Sequence, residues 1–150
     1  MRRRHLVTLL GTAAISGCFS RGSTAPPILG EVDIVNFDYK PHTVHVFIER
    51  DGHPVYWADH EATARTSASL GGASLPCVWD GKEGKYIVRA RLNTRTKWQS
   101  INLTEYDSEI LGLSIHIGDT DAEEGAPLRL SIWHTSNARA RCQVETTMSH

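Results

Sequence analysis

The stretch HTVHVFIERDGHPVYWADHEA, His42 to Ala62, leaves the chain few ways to fold. Val44, Val46 and Ile48 alternate with Thr43, His45 and Glu49. That period of two places apolar side chains on one face of a strand and polar ones on the other. Asp51-Gly52 then interrupts the run, a dipeptide that accepts positive φ at low cost and favours tight hairpin turns, before a second strand-like run begins at Pro54. Strand, turn, strand is the simplest outcome. The same period appears in EVDIVNF, where Val32 and Ile34 flank Asp33, and in KYIVRARL, where Tyr86, Val88, Ala90 and Leu92 share a face opposite Arg89 and Arg91. KWQSINLTE, ILGLSIHIGD and PLRLSIWHT supply further strands. The stretch between Ala62 and Pro76, rich in Ser, Thr, Gly and Ala without clean periodicity, reads as a long connection with room for a short helical turn. Seven or eight short strands, frequent turn residues and no amphipathic helix longer than two turns predict an all-β sandwich.

Gly84-Lys85-Tyr86-Ile87-Val88, just after the turn bracketed by Gly81 and Gly84, resembles the start of a late strand in immunoglobulin-like sandwiches. In that family a tyrosine hydroxyl pins the preceding corner. The expected fold is a Greek-key β-sandwich of seven to eight strands, immunoglobulin-like or cupredoxin-like, and the pattern of strands leaves both open.

The first eighteen residues carry a different kind of information. Leu6 to Gly17 is an uncharged run of twelve residues, whereas a membrane-spanning helix needs about 20. Arginines precede the run and small residues close it, the order of a secretory signal. Arg3 and Arg4, followed by His5, Leu6 and Val7, resemble the twin-arginine export pattern, a route that carries folded proteins. Ile15-Ser16-Gly17-Cys18 resembles a prokaryotic lipobox. That resemblance implies that the Cys18 thiol takes a diacylglyceryl-type lipid and becomes the first residue after cleavage; two acyl chains anchor stably where one holds only marginally. The expected organisation is a signal peptide at 1–17, a lipidated cysteine and flexible tether at 18–29, a sandwich at 30–145 and a tail at 146–150.

Cleavage would leave 133 of the 150 residues, enough for one domain, and would remove Arg2, Arg3 and Arg4. The remaining 13 basic and 17 acidic residues give a net charge of about −4, and no stripe of Lys or Arg appears, so nucleic acid is a poor partner. Twelve arginines against four lysines, the acidic DTDAEE at Asp119 to Glu124, and the Arg-rich signal resemble small lipoproteins secreted by haloarchaea. The resemblance implies a protein standing on the extracytoplasmic face of the cell membrane. With Cys18 lipidated, Cys77 and Cys142 remain, an even pair suited to an oxidising exterior and expected to form a disulfide. Asn102-Leu103-Thr104 is the one N-glycosylation sequon of the chain.

Eight histidines invite a metal site, with His116 and His134 as the candidates because each lies in an expected strand. A blue-copper centre needs two His and a Cys gathered largely from one loop, and no histidine stands between Cys142 and Met148. No cofactor is expected. Ser74 lacks the glycine and the strand-to-helix setting of a nucleophile elbow, and Asp119 and Asp121 lack the spacing of a calcium loop. Nothing marks an enzyme. Trp57, Trp79, Trp98 and Trp133 lie in or beside expected strands, where aromatics fill a sandwich core or cover its rim. The expected function is a membrane-anchored, non-catalytic binding or structural module of the cell envelope, its partner an envelope protein or small ligand. The alternative is a cupredoxin-like metal-binding or electron-transfer protein.

Overall fold

The computed structural model describes residues 25–79, 81–121, 123, 126–136 and 142. Arg3, Arg4 and Cys18, and the tail 146–150, lie outside the described residues. Eight strands are described: β1 (Ile28–Asn36), β2 (His42–Arg50), β3 (His53–Ala62), β4 (Gly71–Ser74), β5 (Tyr86–Leu92), β6 (Gln99–Asn102), β7 (Ile110–Ile117) and β8 (Leu130–Thr135). They form two four-stranded sheets, in the orders β4-β1-β7-β8 and β3-β2-β5-β6. The chain is an all-β sandwich, compatible with an immunoglobulin-like domain.

The period-two residues build the core. Val32, Ile34, Leu113, Ile115 and Ile117 of the first sheet are buried with Val44, Val46, Ile48, Val88, Ala90 and Leu92 of the second. Each fully buried aliphatic side chain contributes about 1.5–3 kcal/mol relative to exposure. The hairpin expected at Asp51-Gly52 is present, with φ of 52° and 79° at its two turn residues, as a primed turn requires. It is held from the side as well. Asp51 Oδ1 accepts a hydrogen bond from Lys85 N at 2.9 Å, where β5 begins.

Tyr86 is wholly buried and its hydroxyl donates to Lys82 O at 2.6 Å, pinning the corner that enters β5. Trp79 also fills the core, 1% exposed, meets Tyr56 edge to face, and donates from Nε1 to Gly30 O. Cys77 and Cys142 are bonded, with Cα atoms 5.7 Å apart, which fastens the C-terminal segment to the loop before β5.

β4 lies inside the segment expected to be a connection, and it pairs Gly71–Ser74 antiparallel with Asn36–Asp33 of β1. Its sequence, GGAS, carries no apolar alternation because close backbone approach, rather than side-chain burial, makes the strand. A Cβ on Gly71 would lie 1.9 Å from Thr63 O, and one on Gly72, at φ 149°, would lie 1.9 Å from Ile34 O. At the other boundary, β1 begins at Ile28, within the stretch expected to be tether, and Leu29 is fully buried opposite Leu111 of β7.

The registers place the turns at two ends. The base holds the start of β1, the Asp51-Gly52 turn, residues 75–79 and 81–85, and residues 103–109. The opposite end, the crown, holds residues 37–41, 63–70, 93–98, 118–121, 123 and 126–129. Asn36, 0% exposed, secures the crown: Nδ2 donates to Lys40 O and Thr63 O, and Oδ1 accepts from Asp38 N.

Candidate functional site: the outer face of the second sheet

Burying Val44, Val46 and Ile48 obliges the residues between them to face outward, and pairing aligns those residues with their neighbours on β3 and β5. One row runs Trp57, Phe47, Arg89, Ser100 across the four strands. The next runs Asp59, His45, Arg91 and ends where Arg91 meets Trp98. A register shift between Ile48 and Glu49 absorbs one extra residue of β3 and keeps Trp57 opposite Phe47.

The contacts within these rows are specific. Trp57 and Phe47 meet edge to face at 5.7 Å between centroids, and the Arg89 guanidinium lies 5.8 Å over the Phe47 ring while pairing with Glu49. Arg91 lies 4.9 Å over Trp98. Its Nε is buried and has no hydrogen-bond partner among the described residues. Cation–π pairs at exposed positions contribute about 0.5–1 kcal/mol each, so these hold side chains in place more than they hold the fold. Trp57 remains 74% exposed and Trp98 37% exposed. An exposed face that carries aromatic rings with guanidinium and carboxylate groups is suited to binding by apolar contact and charge.

The four tryptophans therefore divide. Trp79 fills the core as expected, Trp98 covers the rim at the crown end, and Trp57 projects to solvent because its register position faces outward. Trp133, 59% exposed, sits on the outer face of the first sheet opposite Ser114.

His116 and His134 are not brought together. His116 is on that outer face, its Nε2 2.9 Å from Ser114 Oγ and its ring edge-on to Phe37. His134 pairs with the inward-facing Leu113 and lies against the Tyr106 ring at 3.9 Å, so the two histidines leave opposite faces. Among the described residues no three of His, Cys, Asp and Glu stand where they could share a metal ion. Among the described residues the two cysteines, Cys77 and Cys142, are bonded to each other.

The crown carries a polar chain that no single segment announces. Asn93, at positive φ, donates from Nδ2 to His42 Nδ1, and His42 Nε2 lies 2.6 Å from Asp38 Oδ2. His45 bridges Asp59 Oδ1 and the Asn93 carbonyl. An Asp–His pair can activate a hydroxyl or thiol at the far imidazole nitrogen. Here an amide donor takes that place, and the chain ties β2 to the turn after β5. Burial holds His60 below the usual imidazole range against the opposing pull of Asp59, and burial lowers His116 likewise against Asp119.

Ser74 is exposed at the end of β4, and Asp119 and Asp121 lie on an exposed crown loop. No family model, curated protein or solved structure matches this chain. Its class rests on the fold itself: an all-β sandwich with a disulfide.

Proposed function

We propose that the protein is a lipid-anchored, extracytoplasmic β-sandwich that acts without catalysis, presenting the outer face of β3-β2-β5-β6 to an envelope partner or small ligand. The observation that carries the binding role is Trp57. A tryptophan three-quarters exposed on a strand, edge to face with Phe47, gives an aromatic anchor of the kind enriched at binding hot spots. The disulfide supports an oxidising compartment, and the order of arginines, apolar run and ISGC cysteine supports export with lipid attachment at Cys18. The base of the sandwich, where β1 begins, would then face the membrane and the crown would face away. A haloarchaeal-type source and the immunoglobulin-like branch of the fold belong to this same proposal. The tyrosine corner at Tyr86 supports the latter.

Crosslinking in native membranes tests the binding role. The wild-type lipoprotein is expected to give a discrete adduct that Trp57→Ala weakens at least tenfold with an unchanged melting temperature. An adduct pattern insensitive to Trp57 and Arg91 would move the site elsewhere.

A further inference from the structure

We infer that Asn102 is an N-glycan acceptor, and that the sugar seats in the recesses at the base of the sandwich; the inference rests on the export proposed above. Asn102 ends β6 and begins a single 3-10 turn, Leu103–Glu105. Ile101 and Leu103 are buried on either side of it, which turns Asn102 and Thr104 toward solvent. Asn102 Oδ1 accepts from both Thr104 N, at 3.1 Å, and Thr104 Oγ1, at 2.8 Å. These two bonds hold Oδ1 against residue 104 and leave Nδ2 turned away from it. Asn102 is half-buried, and Nδ2 makes no hydrogen bond to a described residue.

The surroundings leave room for a sugar. Asn102 and Thr104 line a recess of about 340 Å³ with Asp51 and Lys85, and Thr104 and Lys85 also line a second recess of about 600 Å³ beside Asp107 and Ser108. The walls are largely apolar, with Pro26, Pro27 and Ile87, and carry Asp51, Lys85 and Asp107 as polar partners, a mixture that suits the apolar face and the hydroxyls of a sugar. A twin-arginine route would deliver the domain folded, and here the acceptor amide is presented in the folded state without disturbing Leu103.

In the reaction, Nδ2 attacks the anomeric carbon of a glycan carried on a membrane lipid phosphate or pyrophosphate. The N–C bond forms as the bond from that carbon to the phosphate oxygen breaks. One amide proton passes to a base of the transferase, and the lipid phosphate departs with the bonding pair.

The test is mass spectrometry of full-length protein taken from its own membranes, reading the Asn102 peptide and the Cys18 N-terminal peptide in one digest. The expected result is a sugar increment on Asn102, kept in Thr104→Ser and lost in Thr104→Ala. Thr104 is exposed, so both variants are expected to melt like wild type. A lipidated Cys18 peptide beside an Asn102 peptide of bare mass would overturn the glycan alone. If both peptides are bare, the export proposal fails and takes this inference with it.

Discussion

Asn36 shows how much one side chain can hold. It is the buried polar residue of the described core, and its amide satisfies two carbonyls and one N–H that belong to two separate crown loops. Its partners lie on partly exposed loops, so each of the three hydrogen bonds contributes about 0.5–1.5 kcal/mol. Asn36→Ala is therefore expected to lower stability by at least about 2 kcal/mol in urea unfolding, whereas Tyr86→Phe, which removes one hydrogen bond at a corner, should cost about 1 kcal/mol. Histidine burial sets a pH dependence at the same scale. His60 and His116 have folded-state pKa values below their unfolded ones, so the unfolded chain binds protons that the folded chain refuses. Their contribution to stability is complete above the unfolded imidazole pKa of about 6.5 and declines as pH falls below it. The urea midpoint should drop between pH 7.5 and pH 5, and the drop should shrink in His60→Gln. An equal drop in that variant would assign the effect to other groups.

At the scale of elements, two strands owe their existence to different physics. β2 follows from its own alternation, since any pairing that buries Val44 also buries Val46 and Ile48. β4 follows from contact with β1 and from the absence of two side chains. Gly72→Ala must push the new methyl against the Ile34 carbonyl, and is expected to cost about 2–4 kcal/mol, the upper range for a single substitution. Gly52→Ala faces open space and bears only the positive-φ strain of its turn, about 1 kcal/mol. Thermal unfolding of the two variants side by side separates these causes; equal losses would mean that β4 yields without strain.

For the whole molecule, the Cys77–Cys142 bond decides how the C-terminal segment is held, because it joins residues 65 apart in sequence. Closing a loop of that length removes entropy from the unfolded chain worth roughly 4 kcal/mol at most. Cys77→Ser with Cys142→Ser should lower stability by up to about that amount, a large share of the 5–15 kcal/mol typical of a domain. The same double variant should remain membrane-bound if Cys18 carries the lipid. Cys18→Ser alone is expected to leave the protein unprocessed or free in the medium, which detergent-phase partitioning reads directly. Retention equal to wild type, at the same mass, would exclude lipid at that position.

What the sequence by itself determined is local. The alternation of Val44, Val46 and Ile48, and of Tyr86, Val88, Ala90 and Leu92, is a property of neighbouring residues, and so is the primed turn at Asp51-Gly52; both survive unchanged in the folded chain. The pairing of Cys77 with Cys142 was legible too, because only two cysteines remain once Cys18 is set aside. Tertiary structure alone decided which outward residues became neighbours. The rows Trp57–Phe47–Arg89 and Asp59–His45–Arg91 depend on the register of three strands, and a one-residue slip would dissolve both. The same holds for the Asp38–His42–Asn93 chain and for β4. Periodicity states which face a side chain takes, whereas adjacency across strands is set by the packing that selects one register.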